Sequence, residues 1–172
     1  MVAGRGRAPS ADGSEACEGG CTCRAVRYRM ESSPLIVHGC HCRWCQRETG
    51  SAFATNALIE TDRLTLLGEA PECVDTPSAS GRGQAIFRCP SCRVAVWSRY
   101  GGFEPVRFVR VGTLDDPDRY PPGIHSYTSS KQPWVRLPEG VPAVTEYYDA
   151  KQVWSPESLA RRAVYAAALR NT

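Results

Sequence analysis

A chain of 172 residues is long enough for one domain with a real hydrophobic core and too short for two comfortable ones. With 42% hydrophobic and 23% charged residues it has the make-up of an ordinary globular protein rather than a disordered or fibrous one. The net charge of +3 and the scattered arginines argue against nucleic acid as a partner, and no apolar run approaches the roughly 20 residues of a bilayer span, so no membrane association is expected.

Residues 1–16 are Gly, Ala, Ser and Arg with no apolar core. They read as a disordered N-terminal arm and not as a secretory signal, which makes the cytoplasm the expected compartment. Gly19-Gly20 opens a strand, and from Cys21 to Met30 the apolar Val26, Tyr28 and Met30 alternate with Arg27 and Arg29. The short run Leu35-Ile36-Val37 leads into Cys40-His41-Cys42-Arg43-Trp44-Cys45. The stretch Arg43–Glu48 predicts one or two helical turns stopped near Gly50. Phe53–Glu60 and Arg63–Leu67 read as strands around a turn at Thr61-Asp62, and 68–83, rich in Pro, Ser and Gly, as a surface loop. Gln84–Arg88 is a strand ending in Cys89-Pro90-Ser91-Cys92. Val94–Tyr100 and Val106–Leu114 follow as β-branched and aromatic strands.

Prolines at 117, 121 and 122 make 115–123 irregular, and those at 133, 138 and 142 make 125–148 extended and loop-rich. Ser155-Pro156 is a helix start, after which Leu159, Ala163, Val164, Ala167 and Ala168 fall on one stripe of a C-terminal helix. The tally is a mainly β single domain over 17–150 with a helical extension over 151–172.

Nine cysteines in a cytoplasmic chain argue for metal ligands over disulfides. The three thiols at Cys40, Cys42 and Cys45 are either a disulfide with one thiol left over or a metal site. As a metal site they would match catalytic zinc, which takes three protein ligands and keeps a fourth position open. Cys21 with Cys23, and Cys89 with Cys92, together supply four thiolates, the composition of a closed structural zinc site that would staple the N-terminal strand to the middle of the sheet. If Cys21 and Cys23 lie on a strand, alternation directs both thiols to one face. By the same parity His41 faces away from Cys40 and Cys42, whereas His38 shares their side and is the better supporting residue. Cys17 and Cys73 have no partner at ligand spacing, and spacing says nothing of His125.

The ordered set Gly20-Cys21-Thr22-Cys23, His41 to Ser51, Phe87 to Cys92 and His125 to Trp134 resembles the glutathione-dependent formaldehyde-activating enzyme family, which also includes centromere protein V. The likeness runs from about Glu18 to Asp149. It implies an Mss4-like β fold with two zinc ions, one held by Cys21, Cys23, Cys89 and Cys92 and the other by Cys40, Cys42 and Cys45. It also implies condensation of formaldehyde with glutathione, in reverse a carbon–sulfur lyase reaction. The partners expected are therefore a small thiol such as glutathione and an aldehyde. Arg93 stands where many relatives have glycine, and Arg43 and Trp44 occupy variable positions beside the open site. The rival reading is a zinc-stabilised thiol carrier or protein-binding module without turnover. Phe53, His125 and Trp134 are candidates to line a pocket.

Overall fold

The computed structural model describes residues 16–78 and 81–170. The expected N-terminal arm lies, apart from Ala16, outside the described residues. Ten strands and three helices follow one another as β1 (Cys17–Gly20), β2 (Arg27–Met30), β3 (Ile36–Cys40), α1 (Arg43–Thr49), β4 (Ala54–Glu60), β5 (Leu64–Leu66), β6 (Glu72–Thr76), β7 (Gln84–Arg88), β8 (Ala95–Tyr100), β9 (Val106–Arg110), β10 (Ile124–Ser126), α2 (Ala150–Val153) and α3 (Pro156–Arg170). The fold is mainly β, a single domain closed by a C-terminal helix.

The strands form a three-stranded sheet ordered β1-β2-β5 and a seven-stranded sheet ordered β10-β3-β4-β9-β8-β7-β6. All neighbours are antiparallel except β10, which runs parallel to β3 at the edge. Because successive side chains alternate, each strand of the large sheet divides its residues between two faces. One face carries Val37, Ala57, Ile59, Trp97 and Val109, which pack with Val26, Tyr28 and Met30 of the small sheet into the main core. Tyr28 meets Trp97 edge-on at 5.5 Å, and its hydroxyl bonds the Thr113 hydroxyl at 2.6 Å. The opposite face carries Leu58, Val106 and Phe108, covered by Tyr148, Trp154, Leu159 and Tyr165 of the C-terminal segment.

Three expectations are corrected. Residues 21–26 are not strand but a tight turn: the Cys21 N–H returns to the Val26 carbonyl at 3.1 Å, and Arg24 is left-handed at φ 66°. The loop expected over 68–83 contains strand β6, paired with β7 from Glu72↔Arg88 to Thr76↔Gln84. Its residues are exposed, so no buried alternation marked it as a strand. In α3, Ala163 and Val164 face solvent, and the side turned inward is Ser158, Leu159, Arg161 and Tyr165. Polar contacts set that orientation. The Ser158 hydroxyl donates to the Leu35 carbonyl at 2.8 Å, and Arg161 grips the carboxylate of Glu60 through Nε and Nη2 at 2.8 and 2.5 Å. The expected start of this helix is met, with Ser155 Oγ accepting from the Ser158 N–H at 3.1 Å. Among the described residues no helix is long and apolar enough to cross a membrane.

Candidate metal centres

Seven of the nine cysteines gather at two places. The Sγ atoms of Cys21, Cys23, Cys89 and Cys92 lie within 4.8 Å of one another, and so do those of Cys40, Cys42 and Cys45. All nine cysteines are free thiols. Cys17 is buried in the main core and Cys73 is exposed on β6, and neither belongs to a cluster.

The four-thiol cluster is built by two turns of the same design. In each, the first cysteine ends an extended segment, its N–H bonds a carbonyl beyond the turn, and its sulfur accepts a backbone N–H. Val26 N–H reaches Cys21 Sγ at 3.4 Å, and Cys92 N–H reaches Cys89 Sγ at 3.5 Å. Each turn closes through a left-handed arginine, Arg24 at φ 66° and Arg93 at φ 62°. A non-glycine residue there costs about 1 kcal/mol, which the surrounding bonds offset. Thus the turn, not strand alternation, brings Cys21 and Cys23 together, with sulfurs 3.4 Å apart, and Cys23 lies 3.6 Å from Cys89. A tetrahedral zinc with bonds of about 2.3 Å sets its sulfurs about 3.8 Å apart, so the donor set fits such an ion. Hydrogen bonds from the Cys23 and Val94 backbone pull the Cys92 thiol below its ordinary range, as a metal-ligating thiolate requires.

The three-thiol cluster joins the end of β3 to the start of α1. Cys40 is the last residue of the strand. Cys42 caps the helix, its sulfur accepting the Cys45 N–H at 3.4 Å, and Cys45 faces inward one turn later. Gly50, left-handed at φ 63°, ends the helix where the turn residues predict. Hydrogen bonds from Cys40 and Cys45 hold the Cys42 thiol far below the usual range, while bonding to Cys42 pushes Cys40 up to about 11. One thiolate is therefore favoured even while its neighbours keep their protons. Among the described residues no fourth Cys, His, Asp or Glu joins this cluster.

Around the three thiols the loop is held by polar contacts that span the chain. His41 is fully buried, and its Nε2 meets Nδ1 of His125 at 3.0 Å. Phe53 packs against both rings, at 4.8 and 5.7 Å. Burial lowers both imidazoles, His41 to about 4 with His125 and Lys131 adding to the effect, so both rings are neutral at pH 7. A neutral pair sharing one hydrogen bond has a bare nitrogen at one outer end and an N–H at the other, whichever tautomer holds. Those ends, His41 Nδ1 and His125 Nε2, are buried without a partner.

Gln46 ties the segments together. Its Nε2 donates to the His41 and Ser130 carbonyls at 2.5 and 2.9 Å, and its Oε1 accepts from Gln132 at 3.0 Å and Arg43 at 2.7 Å. His41 and His125 are outside the thiol cluster, as the parity of His41 suggests. His38, the expected supporting residue, hydrogen-bonds the Tyr148 hydroxyl and stacks on Phe108 instead. Phe53 lines a cavity of about 380 Å³, whereas Trp134 is 69% exposed and lines neither of the two main cavities. The larger cavity, about 490 Å³, lies under the C-terminal segment between Tyr100, Phe108, Tyr147, Tyr148 and Tyr165. The sequence reading missed Arg110 and Tyr100, which share the sheet face of Cys40.

The profile of the glutathione-dependent formaldehyde-activating enzyme family matches residues 16–130. A protein of Halomonas elongata that carries the provisional name of a glutathione-dependent formaldehyde-activating enzyme is 27% identical over 126 residues, spanning 70% of this chain and 80% of its own. A crystal structure of a Rhodobacter sphaeroides protein superimposes with a TM-score of 0.42 at 17% identity, over 57% of this chain and 87% of that one.

Proposed function

The chain belongs to the glutathione-dependent formaldehyde-activating enzyme family, and from that premise we propose that it is a zinc-dependent enzyme of the carbon–sulfur lyase type, acting on the adduct of a thiol and an aldehyde. The observation that carries this reading is the contrast between the two cysteine clusters. One has a complete set of four sulfur donors and the other has three, the count of a site that keeps a position for substrate.

In this reading Cys21, Cys23, Cys89 and Cys92 hold a structural zinc, and Cys40, Cys42 and Cys45 hold a catalytic one. A zinc ion in the three-thiol site supplies a Lewis acid and favours a thiol as its thiolate. In the synthetic direction the thiol sulfur adds to the aldehyde carbon, the carbonyl π pair moves to oxygen, and the thiol proton ends on that oxygen. The lyase direction reverses this, and no oxidant or reductant is involved. The protein's own part is positioning. Gln46 fixes α1 against 128–132, so that the Cys42 and Cys45 sulfurs keep their aim. The buried His41 and His125 rings, packed on Phe53, brace the loop between Cys40 and Cys42. The family premise points to glutathione and formaldehyde as the thiol and the aldehyde.

The test is metal analysis and initial-rate measurement on the protein and on Cys42→Ser. Two zinc per chain, with adduct formation faster than the uncatalysed background, falling to about one zinc and background rate in the variant, is the expected result. Fewer than two zinc in the unmodified protein overturns the two-site reading. Thiol binding without acceleration replaces the enzyme by a carrier.

A further inference from the structure

Arg110 is a buried cation without an acid. It lies on β9 directly opposite Asn56 of β4, which in turn lies opposite His38, two residues before Cys40 on β3. Alternation therefore places Arg110 on the sheet face that carries Cys40. Its residue is 7% exposed, its Nη1 donates to Asn56 Oδ1 at 2.6 Å, and its Nε is buried with no partner. No carboxylate among the described residues forms an ion pair with it. Burying a charge costs several kcal/mol unless an opposite charge or full hydrogen bonding compensates, and one amide oxygen is a weak return for that.

Arg110 lines the 380 Å³ cavity together with Glu48, Thr49, Phe53, Ala54 and Arg88. This cavity adjoins the three-thiol site: Ala54 is the ladder partner of Cys40, Thr49 ends the helix that Cys42 caps, and Phe53 packs at a tilt against His41. Two other arginines line it, but Arg88 is paired with Glu48 and Arg93 with Glu72. Arg110 is thus the lining cation left for a ligand.

We propose that this cavity is an anion subsite, in which Arg110 receives a carboxylate of a thiol substrate whose sulfur end reaches the Cys40, Cys42 and Cys45 cluster. The inference rests on the reading of that cluster as the thiol-binding site, and it assigns to Arg110 the discrimination between thiols that bear a carboxylate and thiols that do not. An arginine suits this role because its planar fork matches the two oxygens of a carboxylate.

The experiment is isothermal titration of the zinc-loaded full chain with 3-mercaptopropionate, 2-mercaptoethanol and propionate, alongside Arg110→Gln. The acid thiol is expected to bind about tenfold tighter than the neutral one, and that preference to vanish in the variant while the zinc content stays unchanged. Equal affinities in the unmodified protein, or a preference that survives in Arg110→Gln, overturn the proposal. Should the variant fail to fold, propionate and the NMR signal of the Arg110 Nε–H decide in the unmodified protein, since propionate must shift that signal if the subsite exists. A failed thiol-site reading shows itself differently: neither thiol binds through sulfur, yet propionate still moves Arg110.

Discussion

Gly39 lets the parallel edge strand approach the strand of the three-thiol site. A Cβ there would stand 2.5 Å from Nδ1 of His125 and 2.9 Å from its Cε1, because Gly39 is the ladder partner of His125. Gly39→Ala therefore has to expel the His125 ring and break its bond to His41. We expect a loss of about 1–3 kcal/mol in denaturant unfolding, the usual range for overpacking, and altered imidazole NMR signals for both histidines. An unchanged midpoint with unchanged signals would show that the ring has room to shift. At this scale the cysteines were legible, since thiols clustered at two- and three-residue spacing are seldom mere packing. The pairing of His41 with His125 was not, because 84 residues separate them and no periodicity links them. Arg110 was hidden for another reason. An arginine alternating with apolar residues in a strand looks like a solvated face, and no local spacing marks its hydrogen bond to Asn56, 54 residues away.

Among the elements, α3 shows how a correct boundary can accompany a wrong face. Ser155 and Pro156 mark the helix start by local chemistry, which a sequence displays directly. The buried side was assigned from apolar spacing, but it is decided by Arg161, whose side chain is 14% exposed and bonded to Glu60 at 8%. Arg161 also donates to the Ser33 carbonyl at 2.9 Å. β6 escaped for the converse reason, an edge strand whose exposed residues carry no pattern. Arg161→Met leaves the Glu60 carboxylate buried beside a more distant Arg63, and should cost about 3 kcal/mol. The pH dependence has a definite sign. Burial raises the Glu60 carboxyl, but the Arg161 hydrogen bonds, a backbone hydrogen bond and the charges of Arg161 and Arg63 together outweigh it and hold the group below its ordinary 4.5. A depressed folded value means the stabilisation is complete above pH 4.5 and is lost as the pH falls through the folded value. Hydrogen-exchange protection over 156–167, taken relative to the intrinsic rate at each pH, should fall below pH 4.5 in the unmodified protein. Protection there that ignores both acid and the substitution would refute the docking role of this pair.

At the level of the whole molecule, the four-thiol cluster is where the two sheets are tied. Cys21 and Cys23 follow β1 of the small sheet, and Cys89 and Cys92 follow β7 of the large one, so a metal held by all four joins residues 66 apart or more in sequence. The sheets also meet in the main core, where Val26, Tyr28 and Met30 pack with Val37, Ala57, Trp97 and Val109, and beside it run polar links such as the Tyr28–Thr113 hydrogen bond, the Asp115 N–H on the Glu18 carbonyl and the pairing of Arg27 with Asp115. Asp115 is half exposed, so that ion pair contributes about 1 kcal/mol at most. A zinc ion in such a site can supply about 10 kcal/mol of folding free energy, far more than the polar links together. Chelation should therefore act unevenly. Amide exchange in 17–30 and 84–97 should rise by orders of magnitude, while 156–167, docked through Glu60 and Leu35 on the far face, should change less. The three-thiol site supplies an internal control, because in the proposed two-zinc protein Cys42→Ser would remove one metal without touching the junction of the sheets. If chelation accelerates all segments equally, the molecule unfolds as one unit on metal loss and the staple has no local role. If Cys42→Ser loosens 17–30 as much as chelation does, the tie between the sheets lies in the three-thiol cluster instead.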